Sequence, residues 1–167
     1  HNIKKQAALS IPFIDDFSID SSYPDSLLWE DRSVFVNRNY AINPITIGVA
    51  TFDGLNESGR PYDITLTGTD SENADTLTSH RIDLSSVDTA YIMFFYQAQG
   101  LGNDPQLTDS IILEFSSGID SSGNNTWDEI WKIEGSSFFE FKKFVLVFFD
   151  TLYLRSDFQF RFRNLAS

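Results

Sequence analysis

Hard-oxygen side chains are the first residues whose types suggest chemistry. Calcium takes six to eight oxygens from carboxylates, amides and backbone carbonyls. Asp15 and Asp16 are adjacent, and Asp53, Asn56 and Glu57 fall in one short stretch with Asp63 close behind. These residues suit a structural calcium ion. The spacing is not that of an EF-hand, and the same residue types begin turns, so both readings stand. A second kind of site needs an aromatic ring beside Asn, Asp or Arg, where a sugar can stack and bond. Trp29, Tyr23 and Tyr62 occupy such positions, with loop or core anchoring as the alternative.

Catalytic arrangements are harder to assemble. Glycoside hydrolysis needs two carboxyl groups facing one bond. Asp128, Glu129 and Glu134 are the local candidates, in Trp127-Asp128-Glu129-Ile130-Trp131-Lys132-Ile133-Glu134. In a regular strand Trp127, Glu129, Trp131 and Ile133 share one face, with Asp128 and Glu134 opposite, so the carboxylates do not converge. His1 and His80 are the only histidines, too few for a histidine metal site or a serine triad, and no Gly-x-Ser-x-Gly elbow occurs. Without cysteine, thiolate zinc and cysteine nucleophiles are excluded. The reading is a domain that is not an enzyme and requires no cofactor beyond the calcium considered above.

Asp followed by Ser or Thr and then a small or apolar residue recurs at Ser26, Thr76, Thr89, Ser110 and Thr151. The pattern resembles the O-glycosylation acceptor of Bacteroidetes periplasmic and surface proteins. It is also an ordinary way to end a turn and begin a strand.

The elements that would position these groups are strands. Aromatics make up 15% of the 167 residues, with sixteen Phe, which suits a pleated, half-buried surface. The net charge of −12 repels phosphate and anionic headgroups, so nucleic acid is excluded as a partner. No apolar run approaches the ~20 residues of a membrane-spanning helix. The first residue is His1, not Met, and the expectation is a chain processed or excised from something longer.

Residues 1–10 read as a linker or frayed terminus, and residues 11–167 as one domain. Pro12 marks an edge or strand start. Short strands are expected at 34–36, 40–42 and 45–52, then a Gly/Pro loop over 53–61. A strand follows at 77–84. Residues 91–98 form a nearly continuous apolar run, as in a strand covered on both faces. Residues 100–108 form a loop, 111–115 a strand, 116–125 a loop, 127–133 a strand and 138–149 a long aromatic segment. Phe158, Phe160 and Phe162 alternate with Gln159, Arg161 and Arg163, three rings inward and three polar groups outward. Eight to ten strands without a helix predict an all-β jelly-roll sandwich of two antiparallel sheets, lectin-like in form.

Taken together, Ile11-Pro12-Phe13-Ile14-Asp15-Asp16-Phe17-Ser18, Tyr23-Pro24-Asp25-Ser26, Leu28-Trp29-Glu30-Asp31 and residues 34–37, 40–44 and 46–62 resemble a family. It comprises large Bacteroidetes cell-surface proteins of gliding motility and type IX secretion. The likeness continues through residues 75–79, 94–100 and 158–164, nearly the whole chain. The second half is also similar to the MAM-type jelly roll, in Phe94-Phe95-Tyr96-Gln97-Ala98-Gln99-Gly100 and Phe158-Gln159-Phe160-Arg161-Phe162-Arg163-Asn164. The resemblance implies a non-catalytic binding or scaffold module, secreted or at the outer membrane, within a larger protein. Its partners would be other domains of that protein, the secretion or motility machinery, or glycans. A calcium-dependent carbohydrate-binding domain and a glycoside-active enzyme domain are the alternatives. In the family a further strand follows the position of Ser167, and its absence here is expected to leave an open sheet edge.

Overall fold

A computed structural model describes residues 6–55, 58–60, 62 and 72–166. Eight strands occur among them: β1 (Phe35–Asn37), β2 (Val49–Thr51), β3 (Glu72–Thr78), β4 (Ala90–Tyr96), β5 (Ser110–Ile119), β6 (Asn125–Glu134), β7 (Lys142–Phe148) and β8 (Phe160–Ala166). No helix occurs among the described residues, so the protein is all-β. Every strand pair is antiparallel. Hydrogen bonding divides them into a four-stranded sheet, β3-β8-β5-β6, and two ribbons, β1-β2 and β4-β7. The expectation of two sheets is met only coarsely.

The core lies between the four-stranded sheet and the β4-β7 ribbon. Register aligns Leu77, Phe162, Leu113 and Trp131 across the sheet, with Phe160 beside Phe115 in the next row. From the ribbon, Phe94 meets Phe162 at 4.8 Å and Trp131 at 5.2 Å between ring centroids, and Phe148 meets Phe115 at 4.9 Å. The first two pairs are edge-on and the third tilted, and such ring contacts add to the ~1.5–3 kcal/mol that burying each side chain contributes.

Other elements differ from expectation for local reasons. The strand expected at 77–84 lies instead at Glu72–Thr78, the stretch that pairs with β8. The chain then continues through single bridges, Ser79 to Trp29 and Ile82 to Phe158. β5 runs to Ile119, into the segment expected as loop, because Ser117 and Gly118 still lie opposite Thr126. Residues 40–42 form bends rather than a strand. Leu9 bridges Ile82 and packs against the core, so ordered structure reaches into the stretch read as a linker.

Two departures change which face a side chain occupies. In β6, Leu113 pairs with Trp131 but Glu114 with Glu129, leaving Ile130 as an extra residue. Such a bulge moves the following side chains to the opposite face. Trp131 therefore enters the core against Phe94 and Phe144, while Trp127 lies on the other side under the guanidinium of Arg161. In β8 the rings do point inward, but the alternate residues are not simply solvated. Gln159 is only 2% exposed and bonds Ser79 O and Glu30. Arg161 and Arg163 both pair with Glu114, itself buried, at 2.6 and 3.0 Å.

Candidate interaction surface

The β4-β7 ribbon buries one face and leaves the other uncovered. Period-two alternation sends Ala90, Ile92, Phe94 and Tyr96 towards the four-stranded sheet, and Tyr91, Met93 and Phe95 away from it. Opposite them in register stand Val147, Val145 and Lys143. Tyr91 (72% exposed), Met93 (50%), Phe95 (38%), Val145 (49%), Val147 (57%) and the adjoining Phe149 (75%) form one apolar face. At about 150–250 Å² per full aromatic side chain, the three rings alone leave roughly 280–460 Å² in water. Met93, Val145 and Val147 enlarge the face further. Most soluble monomers expose no contiguous apolar patch above ~300–600 Å², and larger ones mark interaction sites.

The charge on this surface is unlike the rest of the protein. The chain has 24 acidic residues, yet none lies in β4 or β7. Lys142 and Lys143 flank one end, the Lys142 ammonium 4.2 Å from the centre of the Phe139 ring. Asp88 and Asp150, both exposed, flank the other end just beyond Ala90 and Phe148. Among the described residues each strand of the ribbon has its outer edge unpaired.

The calcium and sugar-stacking candidates singled out in the sequence lie elsewhere. Asp15 is already bonded twice: Oδ1 accepts from the Phe17 amide and Oδ2 from the Trp29 indole, both at 2.7 Å. Asp16 accepts from the Ser18 amide, and bonds from the Ser18 hydroxyl and amide hold its carboxyl below the usual range. Asp53 accepts from the Leu55 amide at 2.7 Å. Except for the Trp29 indole bond these are turn bonds, the second of the two roles weighed for these residues. Asn56, Glu57 and Asp63 lie outside the described residues. Among the described residues no group of three or more His, Cys, Asp or Glu is placed to hold a metal ion.

Trp29 is in the core, edge-on to Phe13 and Phe160, so its ring is not open to a sugar. Tyr23 lies under the Arg32 guanidinium at 4.5 Å. Tyr62 stays partly exposed, but its hydroxyl donates to Asp75 at 2.7 Å. Structure does not gather the three aromatics on one surface. Of the glycosylation candidates, Ser26, Thr89 and Thr151 are exposed and Thr76 is half-buried in β3. Ser110 is buried in β5, where a transferase would not reach it in the folded chain.

Asp128 and Glu129 lie on opposite faces of β6, as their alternation requires. Asp128 accepts from the Tyr153 hydroxyl at 2.8 Å, and burial first, then that bond, pushes the phenol up to about 12. Glu129 pairs in register with Glu114 on the far side. His80 bonds the Ser26 carbonyl through Nε2. It lines a cleft with Gln6, Ala7, Glu30 and Arg81 of about 170 Å³, below the ~300 Å³ where small-molecule sites begin.

Sequence reasoning missed one buried polar cluster. Asp75 accepts from the Asp53 amide at 2.9 Å and from Tyr62, while Asn164 links its backbone to the Asp53 carbonyl. Burial raises the Asp75 carboxyl to about 6, the bonds from Asp53 and Tyr62 opposing the shift. Asp75 lies just outside the strand expected at 77–84, so the sequence pattern did not mark it as buried. No protein-family model matches the chain, and neither does any curated protein or solved structure.

Proposed function

We propose that this chain is a non-catalytic binding or scaffold module of the jelly-roll kind, working at the cell surface or after secretion. The setting is that of the resemblance: a larger Bacteroidetes protein of type IX secretion, adhesion or gliding motility. One observation carries the reading. The outer face of β4-β7 is a broad apolar surface without acidic groups on a protein of net charge −12. Leaving such a surface in water costs about 25 cal/mol per Å², and covering it with another protein surface recovers that.

A glycan is less well suited to this face. Sugar hydroxyls need amides and carboxylates beside the ring that stacks on them. Here Tyr91, Phe95 and Phe149 are accompanied by Met93, Val145 and Val147. The calcium-dependent carbohydrate-binding alternative would have to rest on other residues.

The test pairs the native chain with a Met93→Lys, Val147→Lys variant in the full-length protein in its host. Both positions point outward, so the variant should melt like the native protein and lose surface adhesion or spreading. A glycan array with and without chelator runs in parallel. Unchanged host behaviour would sink the docking reading. Chelator-sensitive glycan binding would replace it with the carbohydrate alternative.

A further inference from the structure

We infer that the outer face of β4-β7 is covered by the same face of a second copy of this chain, about a two-fold axis running across the strands. The inference rests on the docking reading and names its partner.

Three observations select this occupant. The sequence of β4 is that of a strand covered on both faces, with Tyr91, Met93 and Phe95 as apolar as Ile92, Phe94 and Tyr96. One chain covers only the inner set. The second observation is area. The three exposed rings supply roughly 280–460 Å², and three half-exposed aliphatic side chains extend this towards the ~800 Å² per partner of a standard interface. A face of that size can hold a dimer without a further element.

The third is charge. A sheet face packing on its own copy can do so about an axis along the strands or across them. An axis along the strands sets Lys143 against Lys143. An axis across them reverses strand direction and sets the Lys143 end of each copy over the Asp88 and Asp150 end of the other. Only the second arrangement is complementary, and an isologous contact makes each such pairing twice. The apolar centre carries no acid, so the repulsion expected between two chains of net charge −12 is weakest on this face. Aligned sheets pack ~10 Å apart with inward side chains interdigitating, which suits the alternation of large Tyr91 and Phe95 with small Val145 and Val147.

Sedimentation velocity of the 167-residue chain, from about 1 μM to about 1 mM, reads the outcome. The expected result is a mass rising from 19.0 kDa to twice that value. Met93→Lys with Val147→Lys should leave a folded monomer throughout. Lys143→Glu should weaken the dimer about tenfold or more, and adding Asp88→Lys should restore it. Circular dichroism and melting confirm that each variant is folded. A chain that stays monomeric overturns the inference, whether a glycan or a neighbouring domain then proves to cover the face. A dimer indifferent to Met93→Lys with Val147→Lys uses another surface and overturns it too. A dimer that Lys143→Glu leaves intact overturns the proposed axis. A monomer whose lysine variant still loses host function defeats self-association while keeping the docking reading.

Discussion

Single residues here couple burial to protonation. Asp75 is buried beneath Tyr62, and its carboxyl titrates near 6 because burial disfavours the anion. An unfolded Asp titrates near 3.9, so between these values the folded state binds the proton more tightly. The contribution of Asp75 to stability is therefore complete below about pH 4 and is lost as pH rises through about 6. Asp75→Asn should flatten the stability profile between pH 4 and 6 relative to the native chain, read by denaturant melts at each pH. The variant should also cost about 1–3 kcal/mol at neutral pH, because its amide nitrogen faces a donor, either the Asp53 amide or the Tyr62 hydroxyl. An unchanged slope would show that Asp75 keeps an ordinary pKa. Trp29→Phe tests a different residue. It keeps an aromatic ring beside Phe13 and Phe160 but removes the 2.7 Å bond to Asp15. The expected loss is about 1–3 kcal/mol, with the turn at Asp15 loosening, visible as faster amide exchange at Phe17.

At the scale of elements, β5 carries an ion triad on the sheet face away from the core. Glu114 is buried between Arg161 and Arg163 of β8. Removing the charge with Glu114→Gln leaves two guanidiniums facing each other. Breaking a fully buried pair costs about 3–5 kcal/mol. Both arginines keep some exposure, so the expected cost in chemical denaturation is about 3 kcal/mol or less. Gly48, before β2, has a steric reason to be glycine: a Cβ there would lie 2.0 Å from the Phe17 carbonyl oxygen. Gly48→Ala must push the segment at Phe17 away, at about 1–3 kcal/mol. These elements also show how far pattern reading reaches. Phe158, Phe160 and Phe162 revealed their face because strict alternation has one geometric meaning. The Trp127 and Trp131 faces were illegible, since a bulge leaves no compositional mark and inverts everything after it. Gln159 read as outward because its burial depends on Ser79 and Glu30, partners distant in sequence. The apolar run in β4 read as covered on both faces, but only Ala90, Ile92, Phe94 and Tyr96 are covered, and Tyr91, Met93 and Phe95 are exposed.

For the whole molecule, 24 acidic against 12 basic residues leave a surface that repels itself. Mutual repulsion destabilises the compact state, and salt screens it over a Debye length of about 10 Å at 0.1 M. Raising sodium chloride from about 10 mM to about 150 mM should therefore raise the Tm. Calcium gives a sharper comparison. Asp15, Asp16 and Asp53 each hold a backbone amide, and Asp15 holds the Trp29 indole as well. An ion binding at these three residues would have to displace or share those bonds. The expectation is that calcium and magnesium raise the Tm equally at matched ionic strength, as screening alone requires, and that chelator does nothing beyond its own ionic strength. Calorimetric scans against each ion would decide it. A saturable increase specific to calcium would mean a built site, stabilising by RT ln(1 + [L]/Kd). Its dependence on Asp53→Asn or Asp15→Asn would say which loop holds it. Dimerisation through β4-β7 makes the Tm concentration-dependent by the same mass action, so the scans need one fixed protein concentration. Repeating them on the Met93→Lys, Val147→Lys monomer separates the two linkages: the ionic-strength response should survive there, and the concentration dependence should vanish.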